Sequence, residues 1–306
     1  MTYRFAALLF CAFVSFIATP AVSQGRATLG FGRLFDNDVL GDGNDRWRTG
    51  SYVLSLVRGR PWQGQRPTRF GELLEYRLRG EVISPANLRL PAAGDRRFAG
   101  VSSFGVHSYF RIGRTEMDLG GDLVVTGRQN LLGDIDRALH KLIGVVPPSK
   151  AVLDGQIGNG FHPTLTFEAA RPLHLSDRTM LRPFLEARAG DEDLLRIGAD
   201  ILIGATGQRD LLLRDVVSGQ LYHAVHDSTR GVSFVLGGDV ARVYDSIYLP
   251  AADGYVLTDH RSRLRAGVYL QRPRGSFFYG VTWLGREFTG QSEGQLVGSL
   301  KLSFLF

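Results

Sequence analysis

The chain has 306 residues, of which 44% are hydrophobic and 22% are charged, a composition too apolar for a disordered protein. Its 36 Lys and Arg residues against 30 Asp and Glu residues give a net charge of +6, but no basic run exceeds two residues, which excludes a nucleic-acid footprint. After the N-terminus no apolar run reaches the roughly 18 residues that a membrane helix needs, which excludes a helical membrane bundle.

Residues 1–23 have the order of a secretory signal peptide. Arg4 precedes an apolar stretch over residues 5–17, and residues 21–23 (Ala-Val-Ser) supply a small-residue cleavage site. We therefore expect an exported mature chain over residues 24–306. The single cysteine, Cys11, lies inside the signal, so the mature chain would have no disulfide. Another source of stability is then needed, such as a closed sheet in a membrane.

The mature chain alternates between apolar and polar residues. In residues 100–112, Phe104 and Val106 alternate with Ser103 and His107, and this period of two predicts a β-strand. The same pattern predicts twelve strands, with centres near Leu29, Val53, Leu74, Val106, Leu119, Leu165, Leu185, Ile197, Leu236, Val268, Val281 and Leu300. Residues 272–275 (Arg-Pro-Arg-Gly) predict a turn between two of them.

An even number of strands of about 10 residues predicts an all-β fold, a transmembrane antiparallel up-and-down β-barrel. The terminal Phe306 on the last strand is typical of outer-membrane barrels. A soluble β-sandwich would also alternate and is the other interpretation. Residues 208–229 are either a long connection or two further strands, which would give fourteen.

In such a barrel the connections after strands one, three and five, over residues 36–48, 83–99 and 127–162, lie at the same end. The third connection predicts a short helix over residues 134–144, with Asp134 as N-cap and Gly144 as its stop. Asp136 and His140 are four residues apart and share one face of this helix. A carboxylate so placed can support a histidine general base, although a loop histidine is more often an ordinary surface residue.

The first connection is rich in oxygen-bearing side chains. Six such residues fall within ten positions: Asp36, Asn37, Asp38, Asp42, Asn44 and Asp45. Hard oxygen ligands at this density suit Ca²⁺. A solvated acidic loop is the alternative, because the spacing differs from an EF-hand.

Several segments resemble the calcium-dependent lipid A deacylases of the Gram-negative outer membrane, which remove the 3′-acyloxyacyl group. Asn37-Asp38 and residues 45–50 (Asp-Arg-Trp-Arg-Thr-Gly) resemble the family's Asn-Asp and Asp-Arg-Tyr-Tyr-Thr-Asn-Gly motifs. Residues 84–85 (Ser-Pro) and 95–100 (Asp-Arg-Arg-Phe-Ala-Gly) are similar to its Thr-Pro and Asp-Arg-Pro-Tyr-Ala-Gly. Residues 140–144 and 154–156 are similar to the segment with its catalytic histidine, and residues 286–291 to its penultimate loop.

The chain also departs from the family's pattern. Gly50 stands in place of an asparagine, Arg97-Phe98 in place of Pro-Tyr, and Leu153 in place of a tryptophan. The family has a glutamine shortly before the histidine, in the region where this chain has Asp136 and Arg137.

The resemblance implies ester hydrolysis with water as nucleophile. It implies that His140 is the general base, that Asn37, Asp38 and Thr49 are active-site residues, and that a Ca²⁺ cofactor, with Asp38 and Asp45 as its ligands, stabilises the oxyanion. Arg46, Arg96 and Arg97 would pair with phosphates of lipid A, the implied partner, although strand-end arginines often only snorkel. The protein would be a monomer or weak dimer embedded in the bacterial outer membrane.

Other functions remain open from sequence. The main alternative is a non-enzymatic barrel, either a small pore or a structural or adhesive protein, and a soluble periplasmic β-protein is the third. Inward residues such as Tyr109, Arg265 and Lys301 are bulky, which favours a filled lumen over a wide channel. A serine nucleophile beside His107, namely Ser103 or Ser108, is the second enzymatic hypothesis.

Overall fold

The computed structural model describes residues 26–227 and 229–304, so the predicted signal peptide and Phe306 lie outside the described residues. The strands are β1 (Ala27–Asn37), β2 (Trp47–Gly59), β3 (Leu74–Ser84), β4 (Ala99–Ile112), β5 (Thr115–Thr126), β6 (Gly160–Ala170), β7 (Leu173–Ser176), β8 (Thr179–Ala189), β9 (Glu192–Gly204), β10 (Leu211–Arg214), β11 (Leu221–Val225), β12 (Gly231–Ser246), β13 (Arg261–Arg272), β14 (Gly275–Leu284) and β15 (Gln295–Phe304). The α-helices are α1 (Leu132–Ile143) and α2 (Lys150–Asp154). Short 3₁₀ helices span Asp38–Leu40, Arg128–Asn130 and Ala251–Asp253.

Twelve of these strands form a closed antiparallel barrel. Each wall strand pairs with its neighbours, β1 pairs with β15, and β6 pairs with β8, which closes the sheet. The short strand β7 follows β6 after a break, and it pairs only with the start of β8. Every predicted strand centre falls in a wall strand, so the predicted twelve-stranded barrel is confirmed.

The alternation of the sequence matches the two faces of the wall. On β4, His107 and Tyr109 are buried in the lumen, while Phe104 and Val106 are about 40% exposed on the outer face. Exposed apolar side chains such as Leu264 on β13 continue this outer band, as expected for strands that face lipid. Among the described residues, no helix is long and apolar enough to span a membrane.

The ambiguous segment 208–229 forms a hairpin inside the barrel. Strands β10 and β11 pair with each other and not with the wall, so they do not raise the strand count to fourteen. Tyr222 and Ala224 of the hairpin pack against Leu34 and Val53 of the wall. Gly30 on β1 allows this close approach, because a Cβ there would lie 2.2 Å from the Ala224 carbonyl oxygen.

Charged side chains fill much of the remaining lumen. Arg265 pairs with Asp200 and Asp239, and Arg214 joins Asp200 to Glu168. His107 lies in the lumen between Asp118 and Asp122, at 3.3 and 3.0 Å. The expectation of a lumen filled by bulky inward groups is thus confirmed, and buried charges of opposite sign are paired.

The three predicted loops lie together at the end of the barrel opposite the described termini. Helix α1 begins at Leu132, so the prediction that Asp134 is the N-cap was wrong. Asn130 explains the earlier start, because its Oδ1 accepts the Leu132 N–H at 3.1 Å. Gly144 ends the helix with a φ of 76°, as predicted.

Candidate active site

Helix α1 and the turn after it fix the imidazole of His140. Gly144 adopts a left-handed conformation and turns the chain back, so the Val146 carbonyl oxygen lies 2.7 Å from His140 Nδ1. A carbonyl oxygen only accepts, so Nδ1 carries the hydrogen. In the neutral imidazole Nε2 is then a free acceptor, the form that a general base needs.

The first loop places a carboxylate and a hydroxyl side by side. Asn37 caps the 3₁₀ helix by accepting the Val39 N–H at 2.9 Å, and the next residue, Asp38, is fully buried. Asp38 accepts the backbone N–H of Arg46 at 2.8 Å and lies 3.3 Å from the Thr49 hydroxyl oxygen. These contacts hold the loop closed over the start of β2.

Thr49 lies in a β-bulge. The register of β2 on β3 shifts between Arg48 and Gly50, so Thr49 has no partner across the ladder. A bulge re-aims side chains. Arg48 and Thr49 are therefore both buried although they are adjacent, and Thr49 Oγ1 donates to Asp45 Oδ1 at 2.5 Å.

The two loops meet at the imidazole of His140. Nε2 lies 3.5 Å from Asp45 Oδ2 and 3.4 Å from Asp136 Oδ1, the latter one helical turn earlier on α1. A continuous set of contacts therefore runs from Asp38 through Thr49 and Asp45 to His140 and Asp136. The structure thus brings the predicted Asn37, Asp38, Asp45, Thr49 and His140 into one place, from two separate loops.

Carboxyl groups accumulate at this site, and their crowding and burial disfavour the charged forms. Burial raises the pKa of Asp38 to about 8, and the charge of Asp45 adds to the rise. Burial also raises the pKa of Asp136 to about 6, against the opposing effect of His140 and with a further contribution from Asp45. Two carboxyl groups thus flank the histidine, and a third, that of Asp38, contacts Thr49 beside Asp45, an arrangement that a bound cation would stabilise.

The donor set fits Ca²⁺. Carboxylate oxygens of Asp38 and Asp45 both approach Thr49 Oγ1, and all these donors are hard oxygen atoms of the type calcium prefers. The other acidic residues of the loop point elsewhere. Asp36 lies in the lumen and accepts from Ser51 and Ser299, and Asp42 pairs with Arg46.

The three arginines of the predicted phosphate site are separated. Arg46 stacks on Trp47 at 4.4 Å and pairs with Asp42 and Glu293 at the surface. The side chain of Arg96 is completely enclosed and pairs with Glu287 in the lumen. Its enclosure contradicts the expectation that Arg96 contacts lipid A phosphates.

Arg97 fastens three loops to one another. It donates to the carbonyl oxygens of Gly155 and Gln156 at 2.7 and 2.9 Å and pairs with Asp253 at 2.7 Å. Its side chain is 39% exposed, so a surface of the guanidinium is still accessible. These contacts give Arg97 a structural role at the rim.

An apolar surface lies beside the site. On α1, Ile135 and Leu139 are about half exposed, and Leu142 and Ile143 are 81% and 67% exposed. These residues form a stripe next to the face with Asp136 and His140, since they follow helical spacing. Contiguous exposed apolar residues of this kind mark a contact with lipid or another apolar partner.

Sequence reasoning missed one cluster of titratable groups. His223 and His226 had no recognisable partner in the sequence, but in the structure both contact Asp210, at 2.6 and 3.3 Å. The three residues are the one group of three His, Cys, Asp or Glu residues in the described chain with ligand atoms within 4.8 Å of one another. The His-x-x-His spacing was the available signal.

Comparison with known proteins agrees with this architecture. The family model of the outer membrane protein LpxR matches residues 7–306. LpxR from Salmonella typhimurium has a solved structure that superposes with a TM-score of 0.72 at 17% identity, covering 90% of this chain and 100% of that chain. The KdgM porin superposes with a TM-score of only 0.39 at 8% identity, covering 90% of this chain and 98% of that one. No curated protein matches the sequence. This twelve-stranded barrel therefore belongs to the LpxR family of outer membrane proteins.

Proposed function

We propose that this protein is a lipid A deacylase, a carboxylic ester hydrolase of the outer membrane that removes the ester-linked 3′-acyloxyacyl group. The observation that carries the proposal is the position of His140, whose Nε2 faces the carboxylates of Asp45 and Asp136. Family membership supports the same conclusion. Because the lumen is filled, we place the catalytic function at the loop end of the barrel.

In this mechanism His140 is the general base. The Val146 carbonyl holds the Nδ1 hydrogen at 2.7 Å, which leaves Nε2 to accept a proton from water as the water attacks the ester carbonyl. The imidazolium formed in this step is stabilised by the carboxylates of Asp45 and Asp136, 3.5 and 3.4 Å from Nε2. The same imidazolium can return the proton to the leaving alkoxide.

The first loop supports the developing negative charge. Ca²⁺, held by Asp38 and Asp45, would polarise the ester carbonyl and stabilise the oxyanion. Thr49 donates to Asp45, which keeps the two carboxylates together. Asn37 uses Oδ1 to cap the 3₁₀ helix, so its Nδ2 is a donor for the substrate carbonyl.

The stripe of Ile135, Leu139, Leu142 and Ile143 supports a substrate held in a lipid leaflet. Acyl chains beside α1 would bury these exposed side chains. Arg97 supplies an accessible guanidinium group at the same rim for phosphate contacts, whereas Arg46 is mostly buried and would have to exchange Asp42 or Glu293 for a phosphate. Arg96 has no part in this binding because it is enclosed.

The filled lumen disfavours the alternative of a small pore. Ion pairs such as Arg265 with Asp239 cross the interior, and the β10–β11 hairpin occupies part of it. A structural or adhesive barrel has no need of a histidine held by its Nδ1 hydrogen beside two carboxyl groups. The proposed serine route through His107 is also disfavoured, because that imidazole is buried between Asp118 and Asp122.

The test is hydrolysis of lipid A by the refolded barrel, followed by mass spectrometry with Ca²⁺ and with chelator. We expect loss of one acyloxyacyl mass with Ca²⁺ and no loss with chelator. An intact lipid A mass in both conditions, with a barrel whose folding is verified by heat-modifiable migration, would contradict the proposal.

A further inference from the structure

The luminal hairpin is closed at its base by polar side chains. Asp210 directly precedes β10, His223 lies on β11, and His226 follows the end of β11. This closed end of the hairpin lies toward the barrel end with the described termini, because Tyr269 and Lys301 beside it come from the C-terminal halves of β13 and β15. The cluster is therefore distinct from the candidate active site, which lies at the opposite end.

Both histidines direct the same ring atom to the same oxygen. Nδ1 of His223 lies 2.6 Å and Nδ1 of His226 lies 3.3 Å from Asp210 Oδ2. Neighbouring groups fix the three side chains. Asp210 Oδ1 accepts the Asp227 N–H at 2.8 Å, and the ring of Tyr269 stacks on His223 with centroids 3.7 Å apart.

We propose that Asp210, His223 and His226 form a transition-metal site, suited to Zn²⁺, that fastens the hairpin inside the barrel. Two imidazoles and one carboxylate are a common ligand set for such ions, whereas calcium prefers oxygen donors alone. The site therefore takes a different class of metal from the loop site. It joins the start of β10 to the end of β11, so a bound ion would close the hairpin into a ring.

The surroundings of the cluster suit a metal. Its carboxylate is already ordered by the backbone of Asp227, the supporting contact expected for a ligating carboxylate. The Tyr269 hydroxyl lies 3.1 Å from His226 Nδ1 and offers a further oxygen atom at the edge of the cluster. The side chain of His226 is 29% exposed, which gives an ion access from solvent, whereas those of His223 and Asp210 are buried.

Lys301 is the cation that faces the cluster. Its ammonium group donates to the His223 carbonyl oxygen at 2.6 Å and lies 3.5 Å from His226 Nε2, on the opposite edge of that ring from Nδ1. The metal would thus be separated from Lys301 by the width of the imidazole. Without a metal the same residues would form a hydrogen-bonded cluster, in which one oxygen of Asp210 serves both rings.

The experiment measures zinc binding to the refolded barrel after treatment with chelator, by competition with a fluorescent zinc indicator. We expect the wild-type protein to bind Zn²⁺ at this site and His226→Ala and His223→Gln to weaken that binding about 100-fold or more. His260→Ala is the matched control, since His260 is an exposed histidine in a loop. His140→Ala removes the histidine of the loop site, which also lies beside carboxylates, and should leave the zinc affinity of the hairpin site unchanged.

Cobalt spectroscopy of the wild-type protein tests the same site without depending on how a variant folds. Bound Co²⁺ should give visible d–d bands of a site with nitrogen and oxygen ligands, and Zn²⁺ should displace it. Zinc binding that is unchanged in folded His223→Gln and His226→Ala, or lost only in His140→Ala, would overturn the proposal. So would a wild-type protein that binds neither ion.

Discussion

Nε2 of His140 lies 3.5 Å from Oδ2 of Asp45, although the two side chains belong to different loops of the barrel. The wall strands bring these loops together, because alternate connections of an up-and-down barrel lie at one end. The contact joins a candidate base on α1 to a loop whose Asp38 and Asp45 both approach Thr49. The chemistry proposed above depends on this meeting of the two loops.

Asp136 should support the base through its charge. Asp136→Asn replaces the carboxylate 3.4 Å from His140 Nε2 with a neutral amide, so we expect kcat to fall about 10- to 100-fold while the barrel stays folded. Lipid A hydrolysis at saturating Ca²⁺ measures the effect. Asp134→Asn is the matched control, because Asp134 is on the same helix but exposed. Equal activity of the two variants would show that Asp136 has no such role.

The Thr49 hydroxyl should affect the Ca²⁺ concentration that half-maximal activity requires. Thr49→Val keeps the shape of the side chain but removes the hydroxyl that donates to Asp45 at 2.5 Å. The two carboxylates would then be less well ordered, so we expect the Ca²⁺ concentration for half-maximal activity to rise about 10-fold. Thr289→Val, at an exposed position of another loop, should leave it unchanged. A Thr49→Val enzyme with a normal calcium curve would refute this role.

The apolar stripe of α1 should bind substrate in a membrane. Leu142 is 81% exposed, and burying a leucine in lipid contributes about 2 kcal/mol. Leu142→Glu should therefore raise the KM for lipid A in vesicles about 30-fold, with little change in kcat. Lys141→Glu, which places the same carboxylate one residue away from the stripe, is the control. An unchanged KM for Leu142→Glu would indicate that the stripe does not contact lipid.

Glu287 should be essential to the stability of the lumen. Its carboxylate pairs with Arg48, Arg96 and Arg261, so Glu287→Gln would leave buried guanidinium groups without compensation. We expect the free energy of unfolding to fall by about 3–5 kcal/mol, as measured by urea unfolding in vesicles.

Glu293→Gln is the comparison for Glu287→Gln. Glu293 pairs with Arg46 at the surface, where its side chain is 63% exposed, so its loss should cost about 1 kcal/mol or less. Similar unfolding free energies for the two variants would contradict a structural role for the luminal network.

The wall of the barrel was predictable because each strand obeys a local period of two. For residues such as Val106 and His107, the odd or even position in the strand predicts whether the side chain faces outward or into the lumen. The early start of α1 was not predictable from the helical pattern, because it depends on the side chain of Asn130. The hairpin was ambiguous because its strands bury both faces in the lumen and so lack the alternation of the wall.

The candidate site was predictable where motif and topology coincided. Asn37, Asp38 and His140 lie on loops that the strand order places at one end. The enclosure of Arg96 and the contact of Asp210 with His223 could not be predicted, because both depend on long-range packing in the lumen. An arginine in a loop motif looks the same in sequence whether it faces solvent or Glu287.

The most direct test of the account compares wild-type and His140→Ala barrels on lipid A with Ca²⁺, by mass spectrometry of the products. His260→Ala, at an exposed loop histidine, is the control. Removal of the base should lower the rate of deacylation about 10²- to 10⁴-fold, with heat-modifiable folding intact, while His260→Ala stays active. A folded His140→Ala protein that releases the acyloxyacyl group at the wild-type rate would contradict the central claim.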